Sequence, residues 1–120
     1  MHTRQIPEKE WRTTFDSLSQ SYAGSLVSIE IAGGDVGAEE QMRNQPLRGI
    51  TSDRGGVSVI VEQKNGLHFG HRIAEPEIVR LVETSDSSVM AVEVEDIDGT
   101  CSFIRFRPAV DRESLDAAVE

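Results

Sequence analysis

Two turn signals constrain this chain more than any other feature. They are Lys64-Asn65-Gly66 and Ile97-Asp98-Gly99, each set between alternating apolar and polar residues. Asn-Gly and Asp-Gly in that setting are the strongest short-range signals for a β-hairpin. A two-residue loop fits neither site, because it sets Val61 against Gly70 and Glu93 against Ile104. A three-residue loop with the Gly in a left-handed bulge sorts both hairpins. Val61 then pairs with Phe69, Val59 with His71 and Val57 with Ile73, while Glu62 faces His68 and Ser58 faces Arg72. In the second hairpin Val92 pairs with Ile104, Met90 with Phe106 and Glu93 with Phe103. A slip of one residue would invert every side chain, so the buried face selects this register. Gly suits the bulge because it takes positive φ without a Cβ clash.

Around this strand run, further elements are expected. Pro7 starts a helix, with Glu8 and Glu10 at the positive end of its dipole. Trp11, Phe15, Leu18 and Tyr22 form one stripe on it, and Gly24 closes it. Core packing is the ordinary use of such a stripe, with an aromatic ligand surface as the sharper alternative. Residues 1–6 read as an extended arm. Strands are expected at 25–32, 46–52 and 77–83; the last is apolar on both sides, as in an interior strand or one with both faces covered, and its β-branched residues favour a strand over the competing helix at 76–84. Residues 33–45 read as a long loop where function would concentrate. Residues 108–120 read as a frayed or poorly ordered tail. The expected fold is a single α+β domain over residues 1–107. One N-terminal amphipathic helix packs on a curved, mainly antiparallel sheet of about seven strands, which two bulges bend toward a half-open barrel.

The chain has 120 residues and a formal charge of −9, which argues against general binding of nucleic acid or of an anionic membrane. Its single cysteine, Cys101, excludes an internal disulfide and fits a reducing compartment. No apolar leader and no run of about 20 apolar residues is visible, so a cytoplasmic location is expected.

Candidate chemistry is sparse. His68 and His71 stand three apart, on opposite faces of a strand, and cannot share a metal ion there. His71 sits among Val59, Phe69 and Ile73 at the edge of the core, which makes it the candidate ligand-binding residue. Asp96-Ile97-Asp98-Gly99 fails the calcium-loop pattern on both sides, at Val94 and Arg105, and reads as a turn. Gly33-Gly34-Asp35-Val36-Gly37 lacks the Lys-Ser or Lys-Thr of a phosphate loop. Cys101 lies beside Glu95, which disfavours a thiolate nucleophile. Glu93 and Glu95 are expected to form ion pairs with Arg105 and Arg107.

Several short stretches in fixed order resemble a family of short acidic bacterial proteins known only as a domain of unknown function. They are Thr3-Arg4-Gln5-Ile6-Pro7 ahead of Trp11, then Phe15 and Ser19, then Leu26-Val27 with Glu30. Pro46-Leu47-Arg48-Gly49-Ile50-Thr51 follows, and Asp98-Gly99-Thr100 leads to Arg105-Phe106-Arg107. Ser25 stands where that family usually has an aromatic residue. The resemblance implies no activity, cofactor or catalytic residue. The residues favour a non-enzymatic domain that binds a protein partner or associates into a homo-oligomer. The alternative is a small-ligand-binding protein or enzyme with a pocket between helix and sheet, near His71. No catalytic residue, metal ligand or cofactor is expected.

Overall fold

A computed structural model describes residues 1–33 and 37–107. The expectations for the glycine-rich turn at 34–36 and for the tail at 108–120 lie outside the described residues.

The described residues form one α-helix, a short 3-10 turn and eight strands. Strand β1 spans His2–Ile6 and leads through a short 3-10 turn, Glu8–Glu10, into helix α1, Trp11–Ser21. Strand β2 is Leu26–Gly33, β3 is Gly37–Asp53, β4 is Gly56–Glu62 and β5 is His68–Ala74. Strand β6 is Pro76–Glu83, β7 is Val89–Asp96 and β8 is Cys101–Phe106. All pairings are antiparallel. The order is β1-β6-β7-β8-β2-β3-β4-β5, an open arrangement whose edges are β1 and β5.

The two hairpins adopt the expected register. Val61 lies opposite Phe69, Val59 opposite His71 and Val57 opposite Ile73. Val92 lies opposite Ile104 and Glu93 opposite Phe103. Gly66 and Gly99 hold φ of 83° and 85°. Both turns close alike: Gln63 N–H donates to Leu67 C=O at 2.7 Å, and Asp96 N–H donates to Thr100 C=O at 2.9 Å. Strand β6 lies between β1 and β7, an interior position as its apolar run implies.

Three expectations need correction. The extended arm is a strand, β1, which raises the count to eight. Four of its five residues are exposed, so no buried face marks it in the sequence. The long loop at 33–45 is mostly strand, because β3 runs 17 residues from Gly37. Its first half is largely exposed and leaves no apolar alternation to read. Pro7 precedes the helical turn instead of opening it, and the first residues wind as 3-10.

Strand β3 is the corner of the fold. It pairs with β2 as far as Pro46 and with β4 from Leu47 onward. Pro46 has no N–H to donate and sits where the strand changes partner. Register shifts on both ladders mark bulges, which bend a strand. The sheet thus turns its two parts toward one core. Val57, Val59 and Val61 from one part share that core with Val92, Val94 and Ile104 from the other.

Helix α1 packs against β3 and fills the space beside its second half. Trp11, Phe15 and Leu18 are buried, as the stripe requires. Tyr22 stacks on Phe106 with ring centroids 4.9 Å apart, and its hydroxyl accepts from Val89 N–H at 2.8 Å. Ser19 stands in for a missing strand neighbour. Its Oγ accepts from Ile50 N–H at 2.8 Å and shares its hydrogen between the carbonyls of Phe15, at 2.8 Å, and Ile50, at 3.0 Å. Buried backbone groups need such partners.

Candidate functional site

The candidate site is the β5 edge with the hollow at each of its ends. The ladder between β4 and β5 has no register shift. Gln63 and Leu67 form a hydrogen-bonded pair at the turn. Antiparallel pairs alternate between bonded and non-bonded. Phe69, His71 and Ile73 therefore bond toward β4. The N–H and C=O groups of His68, Gly70, Arg72 and Ala74 point away from it, toward the open edge. These four residues are all exposed.

The core cover thins along β5. Ile73 is 5% exposed, His71 is half-buried, Phe69 is 44% exposed and Leu67, just before the strand, is 63% exposed. All four alternate on one side of the hairpin, so a single apolar stripe leaves the core and enters solvent. The reason is geometric: β3 and β4 continue over the core, while nothing lies beyond β5 in the sheet.

At the Gly66 end is a groove of about 320 Å³ between the hairpin tip and the first half of β3. Met42, Val61 and Phe69 give its apolar wall, and its charged members are Arg43 and Lys64. Arg43 pairs with Glu40 at 3.0 Å. Lys64 makes no ion pair among the described residues.

At the Ala74 end is a cleft of about 370 Å³ between β5, Ile31 and the β7–β8 turn. His71 and Ile73 line it, with Glu75, Asp96 and Asp98 as its acids. Ile97 lies at this cleft and is 59% exposed. Arg72 also lines it, but a bidentate pair with Asp53, at 2.9 and 3.0 Å, occupies its guanidinium. That hydrogen bond holds the Asp53 carboxyl below its ordinary value. Burial pushes the His71 imidazole below its ordinary value, which favours the neutral ring at pH 7. No helix residue lines this cleft, so the hollow beside His71 lies between β5 and the β7–β8 turn, not under α1.

Other candidate residues are accounted for by their neighbours. His68 lies opposite Glu62 on the other face from His71. Asp96 Oδ1 accepts from the N–H groups of Asp98 and Thr100, at 2.9 and 3.0 Å, and so shapes its turn. Among the described residues, no three His, Cys, Asp or Glu side chains are grouped to hold a metal ion. Desolvation, then the charge of Glu93, pushes the Cys101 thiol up. Glu93 and Glu95 pair with Arg80, at 3.7 and 3.3 Å, in place of the expected Arg105 and Arg107. Arg80 lies directly opposite Glu93 from β6, whereas Arg105 lies opposite Ala91. Arg105 instead reaches Glu30 at 3.3 Å and packs over the Phe103 ring. No helix among the described residues is long and apolar enough to cross a membrane.

Sequence reasoning placed His71 at the edge of the core, where it is half-buried, but did not identify β5 as a sheet edge. The signal for Leu67 and Phe69 was present as an apolar pair beside a turn. Their exposure depends on β5 having no outer neighbour, and strand order is not written in local pattern.

Comparison with known proteins agrees on family and stops there. The model of a family described as a family of unknown function, DUF5335, matches residues 2–115. An uncharacterized protein from Aquifex aeolicus (strain VF5) is 30% identical over 110 residues, which cover 92% of this chain and 96% of that one. No solved structure matches the chain.

Proposed function

We propose, for a chain that belongs to the DUF5335 family of unknown function, a non-enzymatic cytoplasmic role in which the β5 edge binds a protein partner. One observation carries this reading. Four alternate positions of β5, His68, Gly70, Arg72 and Ala74, turn their backbone groups away from β4 beside an exposed Phe69 and Leu67. Sheet edges of this kind accept an added strand: main-chain hydrogen bonds give affinity and the alternate side chains give selectivity. The polar groups nearby support binding over catalysis, because Arg72 and Asp96 are held in pairs and turns.

Site-specific photocrosslinking in the protein's own cells tests it. A photoreactive residue at Phe69 is expected to yield a discrete protein adduct, and the same residue at Thr3 on the β1 edge is expected to yield none. Equal labelling from both positions, or none from Phe69, would reject the edge as a binding surface.

The cleft beside His71 favours a second reading, a small-ligand site. Ile31 and Ile73 offer an apolar floor, and Glu75, Asp96 and Asp98 supply negative charge, so the matching ligand is a cation with an apolar body. Benzylamine and tyramine serve as probes. The reading requires that one of them raise the melting temperature of the native chain and not that of His71→Ala.

A further inference from the structure

We infer that the partner at the β5 edge is a second copy of this chain, paired antiparallel about a two-fold axis at Gly70; this rests on the edge reading above. The argument starts from the two ends of β5. The groove at its start presents Lys64 beside Phe69, while its other cation, Arg43, is paired with Glu40. The cleft at its end presents Glu75, Asp96 and Asp98 beside the exposed Ile97. Glu75, Asp96 and Asp98 enter no ion pair among the described residues, and neither does Lys64. One end is thus apolar and basic, the other apolar and acidic. An antiparallel pair of identical strands sets each end against its opposite in the other copy. Symmetry forms the match twice. A parallel pairing would set like against like.

The register follows from the pleat. Paired residues in a continuous sheet share a face, and the side-chain period is two, so a perpendicular two-fold must pass a residue paired with itself. Near the middle of the seven-residue strand that residue is Gly70 or His71. Centring on His71 stacks two imidazoles and sets Leu67 against the partner's Glu75. Centring on Gly70 uses its outward N–H and C=O as the central bonded pair. It also bonds His68 with the partner's Arg72, sets Leu67 against the partner's Ile73 and brings Lys64 beside the partner's Glu75. The second arrangement joins apolar to apolar and base to acid.

Sedimentation of the purified full chain across a concentration series tests this. The wild type is expected to pass from monomer to dimer and no further. Gly70→Pro removes an N–H that faces the edge and leaves the β4 ladder whole, so it is expected to be folded by circular dichroism and monomeric. Lys64→Glu and Glu75→Lys, both exposed changes, are each expected to raise the dimer dissociation constant by about tenfold, through two symmetric contacts each worth roughly a few-fold. The double variant Lys64→Glu/Glu75→Lys restores the complementarity with signs exchanged and is expected to recover most of the loss. A wild type that stays monomeric to about 1 mM, the weak end of the affinity scale, would overturn the second-copy proposal. So would a dimer indifferent to the charge exchanges. If the chain is monomeric but Phe69 still crosslinks to a different protein in cells, the second copy fails and the edge reading stands. If Phe69 gives no adduct and the chain is monomeric, both fail.

Discussion

Strands β1 and β5 are both sheet edges, and they meet solvent in different ways. Strand β1 is five residues long and ends at the buried Ile6. Ile6 C=O accepts from the Trp11 indole at 2.9 Å, which ties the strand to the helix. His2 and Arg4 both reach Glu83 on the neighbouring strand, each at 3.2 Å. Short length, a charged surface and a following Pro and helix are ways that proteins keep an edge from pairing. Strand β5 has no such cover. Its seven residues contain no acid, its apolar stripe runs into solvent, and Gly70 leaves the middle of the edge bare. One edge is short and tied to its own chain by ion pairs and the indole, and the other carries an exposed apolar stripe with no such ties.

The comparison can be broken most severely at the closed edge. Trp11→Ala removes the side chain that both fills the core and holds Ile6. It should lower unfolding free energy by about 3–5 kcal/mol in urea titration, the usual range for a large aromatic lost from a core. A loss below about 1 kcal/mol would mean that the helix does not anchor β1. Ser19→Ala comes next. It strips the partner from the Ile50 N–H and should cost about 1–3 kcal/mol, the range for a buried backbone group left unsatisfied. Ser19→Thr, which keeps the hydroxyl, should recover part of this.

Acid should open the two regions for different reasons. The hydrogen bond from Arg4, then its charge with that of His2, holds the Glu83 carboxyl below its ordinary value. A carboxyl held down in the folded state stabilises it above the unfolded value, and that stability is lost as pH falls through the folded value. Protection factors of the β1 amides, corrected for the intrinsic exchange rate at each pH, should therefore fall in acid, and Arg4→Ala should remove that pH response. His71 is also held down, by burial, so the unfolded chain binds its proton more readily. Stability is present above the ordinary histidine value and is lost as pH falls below it. Glu75, Arg72, Asp96 and Asp98 line the same cleft and set the background charge. His71→Gln should flatten the melting temperature between pH 7 and the onset of carboxylate titration. A persistent slope there would move the effect to another group.

The smallest expected stability effect falls at the open edge. Phe69→Ser should change unfolding free energy by no more than about 0.5 kcal/mol, as for most surface changes, while weakening association. A large loss of stability would make Phe69 part of the core and erase the contrast.

What was legible in the sequence follows the same division. The hairpins could be read because each has a Gly that must take positive φ and a buried face that permits one register. Helix α1 could be read from Trp11, Phe15 and Leu18. Strand β1 and the first half of β3 could not, because their residues are mostly exposed and carry no alternation. The pairing of Arg80 with Glu93 and Glu95 also escaped, since it depends on β6 lying beside β7. The half-burial of His71 followed from its register opposite Val59, but its cleft did not, because the β7–β8 turn approaches β5 only in three dimensions. The open edge has the same cause: residues 67–74 announce a strand, and only the sheet order makes it the last one.

Amide hydrogen exchange at residue resolution, at high and low protein concentration, tests the central claim most directly. The account predicts that the N–H groups of His68, Gly70 and Arg72 are protected at high concentration and exchange freely on dilution, while exchange in β1 is the same at both. Protection that ignores concentration, or concentration-dependent protection in β1 with none in β5, would contradict it.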